Sequence, residues 1–315
     1  MTDRRKEILT AYLFLLPNFI GFLVFTSGPV IASLYLAFTR WDLFHAPRWA
    51  GLQNFVSLLG FSRSPDDYIN FLGLFRVHYV PNDPFFWQYL YNTAYMMLAI
   101  PFTLFGSLLL AIALNQKIRG VVIYRTLYFL PSITAGVAVL VLWKWLYNTD
   151  IGLINTILTQ LGVRHPPDWL GSSTWAKPAL MIMNFVMGVG GSSMILYLAA
   201  LQGVPRELYE AAQIDGASGR QQFFSITWPL IAPTTFFLGI MSIIGGFQGG
   251  FMQAYIMTGG GPAGSTTTLE FYIYNKAFTV FNMGYASAIA WVLFVIILLV
   301  SLATWKYGGR SVQYH

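Results

Sequence analysis

Six long stretches without charged side chains dominate the pattern of hydrophobic and polar positions along the chain. The stretches that contain no Asp, Glu, Lys or Arg are residues 8–39, 84–116, 126–143, 178–205, 221–269 and 277–305. A charge at the bilayer centre costs about 3 kcal/mol, and a helix needs about 20 apolar residues to cross the hydrocarbon core. Each stretch therefore predicts a membrane-spanning helix. We place the six spans at about 10–37, 88–114, 124–147, 177–201, 231–253 and 282–305.

The shortest of these stretches ends in an aromatic and basic triplet. Lys144 lies between Trp143 and Trp145, which is typical of a helix end where the lysine reaches the headgroups and the indoles lie at the interface. The first span contains Pro17 and Pro29, and we expect both to bend it. Because this span is longer than the core of a signal peptide, we interpret it as a retained helix.

The composition supports a membrane protein and excludes several other classes. Hydrophobic residues make up 56% of the 315 residues and charged residues 10%, whereas a soluble domain is about 25% charged. The absence of cysteine excludes disulfides, a thiolate nucleophile and an iron–sulfur cluster. The net charge of +6 is spread thinly, so we expect contact with membrane lipid and not with nucleic acid. The long apolar runs also lack the alternation of membrane β-strands, and the sequence therefore predicts an all-α polytopic membrane protein with a single transmembrane domain over residues 1–315.

Lys and Arg are distributed unequally between the two sides of this predicted bundle. With the N-terminus inside, the ten residues on the inner side are Arg4, Arg5, Lys6, Lys117, Arg119, Arg125, Arg206, Arg220, Lys306 and Arg310. The seven on the outer side are Arg40, Arg48, Arg63, Arg76, Arg164, Lys177 and Lys276. Because short segments rich in Lys and Arg are retained in the cytoplasm, we expect both termini to be cytoplasmic.

Residues that carry chemistry are scarce within the predicted spans. All twelve acidic residues and all four histidines lie outside the predicted spans, whereas ion-coupled carriers place carboxylates within the membrane. The sequence has no HExxH motif and no GxxxxGK[ST] phosphate-binding loop. Gly259, Gly261 and Gly264 fit the dinucleotide pattern GxGxxG, but a loop between membrane helices lacks the βαβ unit that this pattern requires, so we interpret them as a turn. We expect no cofactor and no metal.

The loop between the fourth and fifth spans, residues 202–230, carries the most specific pattern. Pro205 suits the first turn of a short helix, in which Leu208, Ala211 and Ala212 form a narrow apolar face. A helix lying on the bilayer is the simpler interpretation, but this face is made of small residues and the charges beside it are acidic. Small residues on an exposed helix favour docking into the groove of a partner protein.

Turn and capping residues follow this predicted helix. Gly216 predicts a left-handed end to the helix, and Ser218 with Gln221 resembles a capping box that begins a second short helix. We expect Pro229 to end the second helix at the entry to the fifth span.

The loop also contains a signature that is known from a family of transporters. The spacing EAA-x3-G-x9-I-x2-P is matched by Glu210, Ala211, Ala212, Gly216, Ile226 and Pro229. This pattern resembles the signature of the membrane subunits of binding-protein-dependent ABC importers, although Trp228 stands where the family usually has Leu. Residues 13–42 and 255–278 are similar to the carbohydrate branch of that family, in particular to the first permease of the maltose and glycerol-phosphate type.

The resemblance implies an ABC importer permease fold and a mechanism in which partner subunits hydrolyse ATP, so that this chain is not itself an enzyme. It implies a second homologous permease, two ATP-binding subunits, an extracytoplasmic solute-binding protein and a carbohydrate, polyol or sugar phosphate as partners. It also implies a bacterial or archaeal cytoplasmic membrane. The residues that it assigns to coupling with an ATP-binding subunit are Glu207, Glu210, Ala211, Ala212, Asp215, Gly216, Ile226 and Pro229.

A substrate path is predicted on the fourth and fifth spans. A stripe at positions i, i+3, i+4 and i+7 of the fourth span comprises Asn184, Met187, Gly188 and Gly191. Close helix packing through small residues explains this stripe equally well. The carbohydrate branch binds solute at mid-membrane, and this resemblance favours Asn184 as a contact. On the fifth span, Phe247 and Gln248 would offer a ring face and an amide to a sugar.

Two other classes of function remain as alternatives. A channel or ion-coupled carrier would act alone, whereas an importer subunit needs a second permease and ATP-binding subunits, so co-purification distinguishes the two. An intramembrane enzyme would need a nucleophile or a metal cluster, and the sequence offers neither. The sequence leaves open which solute is carried and what the outer loop at residues 60–86 does.

Overall fold

The structure is a computed structural model that describes residues 3–63, 69–71, 75–77, 79–116, 118–134 and 136–308. Lys117 and Arg310, which belong to the predicted inner side, lie outside the described residues. The chain divides into two compact units, which are described separately below. The first unit is Met1–Pro84 with Ile273–Val292, and the second is Phe85–Tyr272 with Leu293–His315.

Helices form nearly all of the regular structure. The α-helices are α1 (Asp3–Phe22), α2 (Gly28–Ala37), α3 (Gln53–Leu59), α4 (Pro84–Met97), α5 (Ala99–Leu114), α6 (Val121–Ile133), α7 (Gly136–Leu146), α8 (Leu153–Gln160), α9 (Ala176–Gly188), α10 (Gly191–Gln202), α11 (Arg206–Ile214), α12 (Gly219–Gln222), α13 (Trp228–Phe247), α14 (Phe251–Gln253), α15 (Leu269–Tyr274) and α16 (Met283–Gly308). The π-helical turns are Leu23–Ser27, Phe223–Thr227, Ala254–Thr258 and Asn275–Thr279.

Short strands occur only in the first unit, within the described part of the chain. They are β1 (Thr39–Arg40), β2 (Arg48–Trp49), β3 (Phe61–Arg63), β4 (Ile69–Phe71), β5 (Phe75–Val77) and β6 (Tyr79–Pro81). They pair as three antiparallel two-stranded sheets, β1 with β2, β3 with β6 and β4 with β5. The described residues between α2 and α4 therefore form three short antiparallel strand pairs and α3.

The apolar helices agree with the predicted spans, with differences at their ends. Within the described residues, four continuous helices are long and apolar enough to cross a membrane, namely Lys6–Ala37, Pro84–Leu114, Gly219–Phe247 and Met283–Lys306. Two pairs of helices, α6 with α7 and α9 with α10, are bent by more than 40° and bring the total to six if each pair forms one span. The helix that corresponds to the predicted fifth span, 231–253, begins at Gly219 and ends at Phe247, and the limits of the span itself stay a prediction.

Two of the π-helical turns explain how helices pass through proline. The amide of Gly28 donates to the carbonyl of Leu23, and the amide of Trp228 donates to the carbonyl of Phe223. Each of these i to i−5 bonds lies just before a proline, Pro29 or Pro229, whose ring would clash with the carbonyl four residues earlier in a regular α-helix. The wider turn relieves that clash. The expectation that Pro229 ends a helix is therefore wrong, and Pro29 lies within a continuous helix.

The first unit is held together by buried polar contacts. The Asn54 side chain, which is buried, donates from Nδ2 to the carbonyls of Ala37 and Thr39 at 2.8 and 2.9 Å. A Cβ atom at Gly284, near the start of α16, would lie 1.9 Å from the carbonyl oxygen of Thr39, so a larger residue is excluded there. The Tyr285 hydroxyl donates to Asp83. These bonds satisfy polar groups that would otherwise be costly to bury.

The second unit has two apolar clusters that hold its helices. One joins α5, α10 and α13 through buried residues that include Ala111, Tyr197 and Ile231. The other includes Leu180, Met183 and Trp169. The Trp169 indole donates to Asn155 on α8 at 2.7 Å, so α8 and the loop that follows it pack on the second cluster.

Lys144 has a partner that the sequence did not indicate. Its Nζ donates to the carbonyl of Ile256 at 3.0 Å, within the π-helical turn Ala254–Thr258. A π-helical turn leaves a carbonyl without its usual intrahelical donor. The lysine therefore ties α7 to the chain that follows α14, in addition to any headgroup contact.

Candidate functional site

The second unit contains two cavities that share a pair of amide side chains. The first, of about 350 Å³, lies among α4, α5, α9, α10, α13 and α14. The second, also of about 350 Å³, lies among α6, α7, α9 and α14. Asn184 on α9 and Gln253 on α14 line both cavities. These two side chains therefore stand at the boundary between the cavities.

The amide pair is joined by a weak bond. Gln253 Nε2 donates to Asn184 Oδ1 at 3.4 Å, which is near the upper limit for a hydrogen bond of this kind. Both side chains are only partly buried. A solute hydroxyl can replace this contact at small cost, and each amide has both a donor and an acceptor to offer.

The lining of both cavities is uncharged among the residues that the structure describes. The first cavity combines methionine and aliphatic side chains with hydroxyl groups, namely those of Thr93, Thr103, Ser193, Ser242 and Thr268. The second adds Thr134, Met183, Met187 and Met252 around the amide pair. Apolar walls with a few polar groups are typical of sites for small molecules. This lining offers hydrogen bonds and apolar surface, without a charge to pair with an ion.

The predicted stripe on the fourth span is interrupted in the structure. Helix α9 ends at Gly188, and Gly190 adopts φ +105° before α10 begins. A Cβ at Gly188 would lie 2.6 Å from Thr103 Cγ2, and one at Gly191 would lie 3.3 Å from Ser132 Cβ. Asn184 lines both cavities and Met187 lines the second, whereas Gly188 and Gly191 lie in close contact with Thr103 and Ser132. The assignment of these four residues to a substrate path stays a prediction.

The two residues predicted on the fifth span do not line either cavity. Helix α13 ends at Phe247, whose side chain is buried, and Gln248 caps the helix and is exposed. The chain then turns through Gly250 at φ +94°, and the amide that reaches the cavities is that of Gln253. In the sequence, Gln253 follows Gln248 by five residues within the same uncharged segment. The hydrophobic pattern does not indicate the turn at Gly250 that brings Gln253, and not Gln248, to the cavities.

A half-buried carboxylate holds this turn in place. Glu270 Oε2 accepts a hydrogen bond from the amide of Phe251 at 2.9 Å, at the start of α14. Burial raises the pKa of the Glu270 carboxyl above its ordinary value, and the bond from Phe251 opposes that rise. Glu270 is the first charged residue after the stretch 221–269, and sequence reasoning left it without a role. It positions the segment that carries Gln253.

The short helix α11 exposes one face and turns another toward its own chain. Glu207, Glu210, Ala211 and Ile214, at positions i, i+3, i+4 and i+7, are exposed, and Ile214 is 88% exposed. Tyr209 and Ala212 on the other side are partly buried. The predicted apolar face of Leu208, Ala211 and Ala212 is therefore divided, because α11 packs on its own chain through Ala212.

The residues that follow α11 adopt the predicted turn and cap. Asp215 is the C-terminal cap of α11, and Gly216 adopts φ +74°. Ser218 and Gln221 form a capping box, in which the Ser218 hydroxyl accepts from the Gln221 amide and the Gln221 side chain accepts from the Ser218 amide. The predicted capping box is confirmed. Ile226 packs against the cluster formed by α5, α10 and α13.

The sequence that forms these helices and cavities matches the model of a known protein family. The family described as binding-protein-dependent transport system inner membrane component matches residues 82–305. The chain belongs to this family. The permease is 39% identical to the probable ABC transporter permease protein YesP of Bacillus subtilis (strain 168), over 98% of this chain and 94% of YesP.

Two further comparisons concern proteins whose solutes are named. The permease is 37% identical to the lactose transport system permease protein LacF of Rhizobium radiobacter, over 73% of this chain and 78% of LacF. It also matches a chain in the crystal structure of a bacterial ABC transporter involved in the import of the acidic polysaccharide alginate, with a TM-score of 0.78 and 25% identity. That match covers 97% of this chain and 96% of the other. The predicted family and all-α permease fold are confirmed.

Proposed function

We propose that this chain is the membrane subunit of an ATP-driven importer that moves a carbohydrate across the cytoplasmic membrane of a bacterium or archaeon. A second homologous permease completes the pathway, and two ATP-binding subunits hydrolyse the ATP. An extracytoplasmic binding protein delivers the solute. The family description, which names a binding-protein-dependent system and an inner membrane component, supports the last partner and the location.

The observation that carries the choice of solute is the uncharged pair of cavities around Asn184 and Gln253. Amide and hydroxyl groups bind sugar hydroxyls, while the methionine side chains cover the apolar faces of the ring. An anionic solute would need a cation to offset its desolvation within the membrane, and the described residues that line the two cavities include none. The lactose relative supports a hydroxyl-rich solute of this kind. We therefore assign recognition of neutral sugar units to this subunit.

The exposed face of α11 supports the proposed coupling to an ATP-binding subunit. Glu207, Glu210, Ala211 and Ile214 offer acidic groups beside small and apolar side chains, which suits a helix that docks in a cleft. On the proposed topology this face lies in the cytoplasm. Asp215 and Gly216 set the direction in which the chain leaves the docked helix.

The function can be tested by reconstituting the complete importer in lipid vesicles. The binding protein is first screened by calorimetry against neutral oligosaccharides and against uronate oligosaccharides. Import of the sugar it selects is then measured. We expect Asn184→Ala and Gln253→Ala each to lower import per ATP hydrolysed about tenfold, because a buried polar group left unpaired costs about 1–3 kcal/mol. Gln248→Ala, which removes an exposed amide that lines neither cavity, is the control and should leave import unchanged. Normal import by both alanine variants would contradict the site, and selection of uronates alone would contradict the neutral sugar.

The proposed topology gives a prediction of its own. The chain has no native cysteine, so single cysteines at the exposed positions Gln213 and Arg119 can be labelled selectively. We expect no reaction with an impermeant maleimide in intact cells and full reaction after the membrane is opened, because both positions lie inside. A cysteine at the exposed position Leu161, in the loop after α7, should react in intact cells. Labelling of positions 213 and 119 from outside would reverse the orientation.

A further inference from the structure

Helix α11 has one large side chain that faces its own chain, and this is Tyr209. Of the nine residues of α11, Tyr209 and Ala212 alone are partly buried, while the rest are exposed. The Tyr209 ring packs at the edge of the cluster that contains Leu201, Val204 and Ile231. Ala212 has only a methyl group to contribute. The contact between α11 and the membrane helices therefore depends mainly on Tyr209.

The Tyr209 hydroxyl forms a short bond to the start of the fifth span. Its oxygen lies 2.7 Å from Thr227 Oγ1, and either group can be the donor. Thr227 is 6% exposed and is the last residue of the π-helical turn Phe223–Thr227. The next residue, Trp228, donates to the carbonyl of Phe223. The bond therefore joins α11 to the turn that leads directly into Pro229 and α13.

The surroundings of this bond are not tightly packed. A cavity of about 430 Å³ lies between α11, α12 and the end of α5, and both Tyr209 and Thr227 line it. Asn115, Gln116 and Gln222 form its polar walls. Interiors transmit displacement through close contacts, and a cavity interrupts such contacts. A displacement of α11 thus reaches α13 through the Tyr209–Thr227 bond more directly than through the neighbouring surface.

We propose that Tyr209 and Thr227 are a pair of positioning residues that transmit the movement of α11, imposed by the ATP-binding subunit, to the fifth span. The inference rests on the proposed coupling function of α11. Tyr209 does not lie on the exposed face that docks, so it acts after docking. The bond holds α11 and the start of α13 in one relative position. A displacement of α11 therefore favours a corresponding displacement of α13.

The test uses the complete importer with its binding protein and the sugar selected by that protein, reconstituted in vesicles. Tyr209→Phe and Thr227→Val remove a hydroxyl and keep the shape of the side chain. We expect each to lower the number of sugar molecules imported per ATP hydrolysed about three- to tenfold, with full retention of the ATP-binding subunits. The double variant should be no worse than either single variant, since all three lose the same bond. Thr227→Ser keeps a hydroxyl and should restore the ratio.

A control variant and the wild-type complex make the result decisive. Tyr124→Phe removes a hydroxyl from an exposed tyrosine on α6 and should leave the ratio unchanged. If both Tyr209→Phe and Thr227→Val leave the ratio unchanged in an importer whose wild-type form is active, the proposed role of the Tyr209–Thr227 pair is wrong. The proposed function of the chain would not be affected by that result. Loss of ATP-binding subunits from both variants, or additive losses in the double variant, would also overturn the proposed role of the pair. A wild-type complex that hydrolyses ATP without importing any sugar would instead contradict the proposed function.

Discussion

Ala211→Trp is expected to reduce the amount of ATP-binding subunit that co-purifies with the permease about tenfold. Ala211 is exposed at the centre of the face formed by Glu207, Glu210 and Ile214. If this face sits in a cleft, an indole has no room there, and overpacking costs about 1–3 kcal/mol, or up to two powers of ten in affinity. Solute-stimulated ATP hydrolysis should fall in parallel. The measurement is the ratio of subunits after affinity purification, together with the rate of coupled turnover.

Matched variants separate docking from general damage to α11. Gln213→Trp places the same side chain on an exposed flank of the same helix and should retain the ATP-binding subunits. Glu210→Ala should weaken docking by removing a charged contact. Gly216→Val should do so by disfavouring the backbone at φ +74°. If Ala211→Trp, Glu210→Ala and Gly216→Val all retain normal subunit ratios and turnover, α11 is not the coupling element.

Gly245→Leu is expected to lower sugar import about tenfold or more while the complex assembles normally. Gly245 lines the first cavity, and a Cβ built on it meets no atom within 4 Å. A leucine therefore extends into the cavity without a backbone clash, and it excludes solute from the space beside Asn184 and Gln253. Replacing a helix glycine also favours the helix by about 1 kcal/mol, so misfolding does not explain a loss.

A second glycine on the same helix supplies the control for this experiment. A Cβ at Gly239 likewise meets no atom within 4 Å, but Gly239 does not line the cavity, which α13 first reaches at Ser242. Gly239→Leu should assemble and import normally. Import and binding-protein-stimulated ATP hydrolysis are measured for both variants. Normal import by Gly245→Leu would show that solute does not pass through this cavity.

The long apolar helices were predictable because charge is excluded from hydrocarbon so strongly that a long uncharged stretch marks a helix. The breaks within the spans were not, since they depend on single glycines. At Gly190, φ +105° ends the stripe of Asn184, and an uninterrupted helical period cannot show this. At Gly250, φ +94°, a similar turn places the amide of Gln253 at the cavities, and that of Gln248 outside them. Hydrophobic windows report which residues avoid water, and they carry little information about where a buried backbone turns.

For helix α11, the sequence predicted the ends of the helix but not which of its faces is exposed. Its ends were predicted, because Gly216 and the capping box of Ser218 and Gln221 act through local backbone geometry. Its faces were not. Ala211 and Ala212 are identical in type, and only the packing of Tyr209 on the rest of the chain decides which alanine is exposed. Local signals therefore predicted the element, whereas its orientation depended on residues distant in the sequence.

The π-helical turn before Pro229 makes the length of the segment 223–227 matter as much as its composition. An i to i−5 bond accommodates one residue more than a regular turn, and here it keeps the Pro229 ring clear of the carbonyl four residues earlier. Deleting one residue from this turn would leave a regular turn and bring that clash back. An inserted residue would need a further widening of the turn or a change in the rotation of α12 relative to α13. Single-residue insertions and deletions here should therefore be tolerated far less well than substitutions.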